Sequence, residues 1–281
     1  MPYSAEISRS NPTLFLFLLD QSGSMSDMFG AGDARLRKAD TLADVVNRTL
    51  HDLVIRSTKA EEVRGYYDVA VLGYGASTGL PVSSALGGGG EAIKKIGDIA
   101  DHPLRLENRT RKVPDGAGGL VEQVVRFPIR VEPQAGNGTP MCGALTEARN
   151  LVSSWLAEHS RSFPPAVLHI TDGESGDGEP TNAGLSISQL ASSDGNVLVF
   201  NCHLSSARVA AIEYPSSPDT LPNDFAKTLF AMSSVIPDAF RRSAAQSGVT
   251  VAEGARGFVF NADPTALIQF FDIGTRPANL R

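Results

Sequence analysis

Apolar residues along the chain form five stretches that predict β-strands. The first, Thr13–Asp20, has six consecutive apolar residues between its two polar ends. A continuous apolar run, unlike an alternating one, is typical of a strand that is buried on both faces of a parallel sheet. The other four predicted strands are Tyr66–Tyr74, Pro165–Ile170, Asn196–Leu204 and Gly257–Asn261.

Helical periodicity occurs between these strands. From Asp33 to about Ser57, apolar residues recur at steps of three and four, which predicts an amphipathic helix with Asp33 as its N-cap. Thr139 and Pro140 predict the start of a second helix that extends to about His159, because threonine caps helices and proline suits the first helical position. Further helices are predicted over Thr181–Ser193, over Asp224–Ser247 with a break at Pro237, and from Asp263 through Asp272.

The alternation of strands and helices predicts a layered α/β fold with a parallel sheet and right-handed crossovers. The 281 residues show no composition shift that would mark a linker, so residues 1–281 are predicted to form a single domain. The pattern is weakest over residues 75–119, which include four consecutive glycines at 87–90. This segment is predicted to be a loop-rich insertion within the domain.

Composition limits the classes of function. Hydrophobic residues make up 42% of the chain, enough for a sizeable core, and the formal net charge is −6. An acidic chain argues against nucleic acid as the main partner, because phosphate binding needs a basic face. Two cysteines exclude a disulfide-rich scaffold and a four-cysteine zinc site. With no apolar run of membrane-spanning length and no recognisable signal peptide, we expect a cytoplasmic protein without a membrane partner.

Five oxygen-bearing residues lie in three loops that follow predicted strands or precede a predicted helix. They are Asp20, Ser22, Ser24, Thr139 and Asp172. In an open parallel sheet, the loops at the carboxyl ends of the strands converge where the strand order reverses. Carboxylates and hydroxyls are hard donors that suit Mg²⁺ or Mn²⁺. The sequence therefore predicts a site for one such ion, with at least one coordination position left for another ligand.

The order of these motifs resembles the von Willebrand factor A (vWA) domain family with a metal-ion-dependent adhesion site (MIDAS). The matching residues are Asp20, Ser22 and Ser24 in D-x-S-x-S, Thr139 after Gly138, and Asp172 before Gly173. The resemblance implies a Rossmann-like, doubly wound, mostly parallel sheet flanked by helices, with one antiparallel edge strand. It also implies that Ser22, Ser24 and Thr139 touch Mg²⁺, and that Asp20 and Asp172 bind it directly or through water.

The same resemblance implies a function. A partner's Asp or Glu would fill the open metal position, so the chain is expected to be a magnesium-dependent protein–protein interaction module. More narrowly, it is similar to intracellular bacterial vWA proteins, which often work with ATPases, kinases or phosphatases. An adaptor in a bacterial stress, conflict or regulatory system is therefore expected. Met25, Met141 and Glu174 are predicted to line the partner surface, unless both methionines pack into the core.

Some site residues have alternative explanations. Asp20 could be only a loop or capping carboxylate, and Thr139 could be only a helix cap. Glu174 and Asp177 could contribute to a second cation site or form a solvated acidic loop.

Four further residues are expected to be structural. His169 and His203 lie in apolar strands and are predicted to be core histidines with a backbone partner. Cys142 and Cys202 are predicted to be small buried side chains, because no base is recognisable beside either thiol.

The alternative function is a metal-dependent phosphotransferase or hydrolase that uses the same cation. A haloacid-dehalogenase-like phosphatase needs an aspartate where this chain has Ser22. A serine hydrolase needs a G-x-S-x-G turn and a histidine, and none of the three loops contains a histidine that could act as a base. The chain is therefore expected not to be an enzyme.

Overall fold

The computed structural model describes residues 2–28, 36–77, 82–86, 91–114, 119–205, 210–246 and 248–276. Within these ranges the helices are α1 (Lys38–Ser57), α2 (Ile96–Asp101), α3 (Met141–Glu158), α4 (Thr181–Ser188), α5 (Asp224–Met232), α6 (Asp238–Gln246) and α7 (Pro264–Gly274), with a short 3-10 turn at Gly23–Ser26. The strands are β1 (Thr13–Asp20), β2 (Thr58–Lys59), β3 (Glu62–Val63), β4 (Tyr67–Tyr74), β5 (Val82–Ser84), β6 (Ile93–Lys95), β7 (Arg105–Pro114), β8 (Leu120–Ile129), β9 (Ala166–Thr171), β10 (Ala191–Ser192), β11 (Gly195–Asn196), β12 (Leu198–Leu204), β13 (Ile212–Glu213) and β14 (Phe258–Ala262).

The central sheet confirms the predicted fold class. Its parallel strands lie in the order β14, β12, β9, β1, β4. The chain goes from β1 to β4 on one side and then crosses to β9 on the other side of β1. The strand order therefore reverses at β1, and the loops after β1 and β9 flank the crevice where open α/β sheets bind ligands.

The edges of the sheet differ from the expectation of one antiparallel strand. Among the described residues, β13 pairs antiparallel with β14 at one edge, and β5 and β6 both pair antiparallel with β4 at the other. Each of β5 and β6 covers only three residues of β4, which is eight residues long. β5 and β6 therefore pair with different parts of β4 at the same edge of the sheet. Both strands come from a part of the sequence that has no long apolar run.

Strand β1 is buried on both faces, as its uninterrupted apolar run predicts. Phe15, Phe17 and Leu19 pack in one core with apolar residues of α1, α2, α6 and α7. The alternate residues Leu14, Leu16 and Leu18 pack in a second core with α3, α4 and α5. Because successive strand residues point to opposite faces, each helical layer receives every second side chain of β1.

A row of buried polar side chains crosses the sheet below the site. The Asn201 amide nitrogen is hydrogen-bonded to the Ser233 hydroxyl at 2.9 Å, so its oxygen accepts from Nδ1 of His169 at 2.8 Å. Nε2 of His169 must then accept from the Tyr74 hydroxyl, also at 2.8 Å. Burial lowers the pKa of His169 to about 4, so the ring is neutral. His169 is a core residue as expected, but its ring partners are side chains rather than backbone.

Residues 75–119, predicted to be a loop-rich insertion, include β5, β6, α2 and β7. β7 forms a separate hairpin with β8. Arg109 attaches this hairpin to α1 through an ion pair with Asp44, and its guanidinium lies 4.0 Å from the ring centre of Phe127. The assignment of residues 1–281 to one domain with an insertion stays a prediction.

Several helix boundaries differ from the sequence prediction. α3 begins at Met141, one residue after Pro140, the predicted first helical residue, and α4 ends at Ser188 instead of Ser193. The predicted break at Pro237 is confirmed, since it separates α5 from α6. The predicted cap at Asp33 lies outside the described residues. Among the described helices, none is both long and apolar enough to cross a bilayer.

Candidate metal site

The predicted ligands lie in loops that adjoin the crevice beside β1. Asp20 is the last residue of β1, and Asp172 follows the last residue of β9. Ser22 and Ser24 lie at the 3-10 turn that continues from β1. Thr139 precedes α3, whose buried face packs against the same sheet. Asp20 and Asp172 are 152 positions apart in the sequence, yet the segments that carry them end near one another in the fold.

Four of the five predicted ligands are linked by hydrogen bonds. The backbone N–H of Ser22 donates to Oδ1 of Asp20 at 2.8 Å, and the hydroxyls of Ser22 and Ser24 are 3.2 Å apart. The Ser24 hydroxyl then donates to Oδ1 of Asp172 at 2.7 Å. The Thr171 hydroxyl donates to Oδ2 of Asp20 at 2.7 Å. Both carboxylates are therefore oriented by neighbouring groups of the chain.

The Thr139 loop is attached to the other two loops through its backbone. Gly23 N–H donates to Asn137 O at 2.8 Å, and Gly176 N–H donates to Thr139 O at 2.8 Å. Gly75, with φ +89°, allows this close approach, because a Cβ at that position would lie 2.3 Å from Gly138 O. Among the described residues, no hydrogen bond occupies the Thr139 hydroxyl.

Asp177, rather than Thr139, caps α3. Its two carboxylate oxygens accept hydrogen bonds from the backbone N–H groups of Cys142 and Gly143, each at 2.9 Å. The predicted cap at Thr139 is wrong, because the helix begins after Pro140 without a side-chain cap from that segment. The loop after β9 thus provides hydrogen-bond acceptors for two backbone N–H groups at the N-terminus of α3, and the Thr139 hydroxyl stays available to another ligand.

The Asp20 carboxylate is fully buried. Burial raises its pKa, although hydrogen bonds from Ser22 and Thr171 favour the charged form, and the nearby charge of Asp172 adds to the rise. A cation placed between the two carboxylates would offset both of these unfavourable effects. The electrostatics of the pair therefore favour cation binding.

Sequence reasoning missed Lys38. Its Nζ lies 2.8 Å from Oδ2 of Asp172, and the side chain is only 5% exposed. The sequence contains no signal for this role, because in the helix predicted with Asp33 as its cap, Lys38 lies beyond the first turn, which is where the helix dipole acts. The structure places Lys38 at the first residue of α1 with its side chain buried, and sequence spacing could not identify Asp172 as its partner.

The donor chemistry fits a hard divalent cation. In the described ranges, no three His, Cys, Asp or Glu side chains gather in one metal-binding group. The candidate site instead combines two carboxylates with hydroxyls, which are the donors that magnesium and manganese prefer. Asp20, Ser22, Ser24, Thr139 and Asp172 are the residues that would hold the ion.

The predicted apolar rim around the site is wrong. Met25 and Met141 are both fully buried, so the alternative that they pack beneath the loops is correct. Met25 lies in the core with α1, and Met141 lies in the core with α3. Ser24 and Glu174 are exposed polar residues of these loops, and Met28, after the 3-10 turn, is 50% exposed.

The remaining titratable residues near the site are structural. The His203 ring is stacked on Phe260 with centroids 4.4 Å apart, and burial lowers its pKa to about 4, so it is neutral. The Cys142 thiol is only partly buried and lies 3.5 Å from the Ser175 hydroxyl. Burial raises the pKa of Cys142, which disfavours the reactive thiolate. Cys202 is buried as predicted.

Comparisons with known proteins give distant structural similarities. No protein-family model matches the chain, and no curated protein matches it. The vWF domain of the type V pili tip protein Mfa5 from Porphyromonas gingivalis is similar with a TM-score of 0.33 and 14% identity, over 59% of this chain and 39% of that one. A structure of three N-terminal domains of the same protein has a TM-score of 0.32 and 14% identity, over 59% of this chain and 20% of that one. The chain spans well under two thirds of either, and similarity at this level decides neither family nor activity.

The Asp177 cap generates a pH-dependent prediction. Replacing Asp177 with alanine should lower the free energy of unfolding by about 1 kcal/mol at neutral pH, as loss of a helix cap does. Burial alone would raise the pKa of Asp177, but hydrogen bonds from Gly143, Cys142 and Ser175 produce a net lowering. Its contribution is therefore present above the unfolded-state pKa and lost as the pH falls through the lower, folded-state value.

Urea unfolding at pH 7 and at pH 3 measures this effect. The difference between wild type and Asp177→Ala should shrink in acid. Glu174→Ala, which removes an exposed carboxylate of the same loop, is the matched control and should change stability little at either pH. An Asp177→Ala effect of equal size at both pH values would contradict the capping role.

Proposed function

We propose that this chain is a vWA-type domain that binds one Mg²⁺, or Mn²⁺ in its place, at Asp20, Ser22, Ser24, Thr139 and Asp172. Through that ion it recognises an aspartate or glutamate of a protein partner. The observation that supports this most is the hydrogen-bonded connection from Asp20 through Ser22 and Ser24 to Asp172. These groups meet at the reversal of strand order, where ligands of open α/β sheets bind.

The chain's own residues prepare this site for an anion-binding role. Thr171 and the Ser22 backbone hold both oxygens of Asp20, and Ser24 holds one oxygen of Asp172. When bound, a divalent cation with a free coordination position supplies a hard, positively charged contact for a carboxylate oxygen. Pre-oriented ligands lower the ordering cost of binding, which is how a small contact area gains affinity.

Charge around the site favours a particular partner surface. Glu174, Asp177 and Glu179 are exposed in and after the third loop. An incoming carboxylate would be repelled by these groups unless basic residues accompany it. The proposed partner therefore presents an Asp or Glu to the metal with Lys or Arg beside it. An adaptor role in a bacterial regulatory or stress system, with an ATPase, kinase or phosphatase, is the proposed setting.

We further propose binding without turnover. Four of the site residues are ordered by hydrogen bonds to one another. The nearby histidine, His203, is a weak base, because burial lowers its pKa to about 4, and its Nδ1 already accepts from the Asn261 N–H. The Ser22 hydroxyl is 3.2 Å from another hydroxyl, that of Ser24, which is not a base. These contacts suit a ligand cluster better than an activated nucleophile.

The metal proposal predicts a difference between two buried aspartates. Mg²⁺ should raise the melting temperature of the wild type, because a ligand that binds only the native state stabilises it, by about 2.7 kcal/mol at a concentration of 100 Kd. Asp20→Ala should abolish that rise. Asp68→Ala is the matched control, since Asp68 is also buried but pairs with Trp155 instead of the site.

Thermal unfolding of all three proteins, with Mg²⁺ and with chelator, provides the measurement. Both variants are expected to melt below the wild type in chelator, and only Asp68→Ala should keep the magnesium response. Equal stabilisation of the wild type and Asp20→Ala would refute the site.

The partner proposal predicts metal-dependent capture. Tagged wild-type protein should capture a partner in Mg²⁺ and release it in chelator, and Asp20→Ala should capture none. Changing the partner's candidate carboxylate to an amide should remove binding, because an amide is a much weaker magnesium ligand. Binding that survives chelation and the amide change would place the contact elsewhere on the chain.

The absence of turnover is tested separately. Purified protein with Mg²⁺ should hydrolyse neither ATP nor a generic phosphate ester above the buffer rate. Ser22→Ala serves as the control for contaminating enzymes. Turnover by the wild type that disappears in Ser22→Ala would favour the phosphotransferase or hydrolase alternative.

A further inference from the structure

Lys38 is the first residue of α1, and its charged group is almost completely buried. Burial of a charge is costly unless the charge is paired. The N-terminal end of a helix carries a partial positive charge that adds to the cost. Asp172, whose side chain is also fully buried, provides the compensation at 2.8 Å.

This ion pair occupies one of the predicted metal ligands. Oδ2 of Asp172 accepts from Lys38 while Oδ1 accepts from Ser24. With two carboxylates and one ammonium, the cluster of Asp20, Asp172 and Lys38 has one net negative charge rather than two. A divalent cation that approaches these ligands meets the Lys38 charge as well as the carboxylates.

We propose that Lys38 is a counter-ion built into the site, which neutralises Asp172 in the metal-free protein and competes with the metal for it. The inference rests on the proposed function and adds a regulatory element to the same site. Its consequence is a domain that keeps its fold without metal and binds Mg²⁺ more weakly than its ligand set alone would allow.

The structure also contains a second anion for the displaced lysine. Asp27 has a carboxylate oxygen 3.9 Å from Nζ of Lys38, and its side chain is 62% exposed. The backbone N–H of Lys38 donates to Asp27 O at 2.9 Å, which keeps the two residues adjacent. If Asp172 bound a metal ion, a small side-chain movement would bring the Lys38 ammonium into closer contact with Asp27.

The first experiment measures Mg²⁺ affinity by isothermal titration calorimetry in wild type, Lys38→Gln and Arg37→Gln. Lys38→Gln removes the charge but keeps an N–H donor for Asp172, so its metal-free fold is retained better than in an alanine variant. Its Kd for Mg²⁺ should fall at least about tenfold, a change of about 1.4 kcal/mol. Arg37→Gln is the matched control, because it removes the same charge one residue away, where the guanidinium pairs with Asp40, and its Kd should change little.

The outcomes separate this inference from the proposed function. If the wild type binds Mg²⁺ and Lys38→Gln binds it equally well, the counter-ion role is overturned and the metal site stands. If only Lys38→Gln binds, the counter-ion role is supported and magnesium-dependent function of the wild type is overturned. If neither binds, both are overturned. Should Lys38→Gln fail to fold in chelator, its refolding as Mg²⁺ is added would support the role, and failure to refold would overturn it.

A double-mutant cycle tests the transfer to Asp27. Asp27→Asn should weaken Mg²⁺ binding in the wild type, because the displaced lysine loses its second partner. The same change in the Lys38→Gln background should have a several-fold smaller effect, since no charge has to move there. Equal effects in both backgrounds would overturn the transfer, as they would report only the general loss of a negative charge.

Discussion

Strand β1 is packed by helices on both faces, and the rest of the structure depends on this double burial. Its six apolar side chains, from Leu14 to Leu19, supply alternate residues to two separate cores. Asp20, at its carboxyl end, comes where the strand order reverses. The strand that organises both cores thus also delivers the first carboxylate to the crevice.

The buried polar groups around that crevice are hydrogen-bonded to one another, which offsets the cost of removing them from water. Asp20 is buried and is satisfied by Ser22 and Thr171. Asp177 closes the N-terminus of α3, which leaves the Thr139 hydroxyl outside the helix-capping arrangement. Burying a carboxylate without such partners would cost several kcal/mol per ion, so these loops are constrained by electrostatics as much as by packing. A site of this kind is formed before any ligand arrives.

Lys38 lowers the net negative charge of the candidate site, because its ammonium pairs with Asp172. A cluster of carboxylates alone would be unstable without a cation, whereas the Lys38–Asp172 pair supplies an internal one. Under the proposed function, metal binding would exchange one cation for another and would not be required for folding. In such an exchange, a partner carboxylate that completes the metal's coordination would favour the metal-bound form, because a ligand shifts an equilibrium by its differential affinity for the two states.

The sequence by itself predicted the five parallel strands, the larger helices between them and the double burial of β1, because these depend on local periodicity. The five oxygen donors follow from residue chemistry at strand ends and stay a prediction. The sequence also identified His169 as a core residue. Only the tertiary structure decided that Asp177 caps α3, that Met25 and Met141 are buried, and that Lys38 pairs with Asp172. Each of these contacts joins residues from different segments. Their choice of partner depends on which loops the sheet order brings together, and no spacing along the chain encodes it.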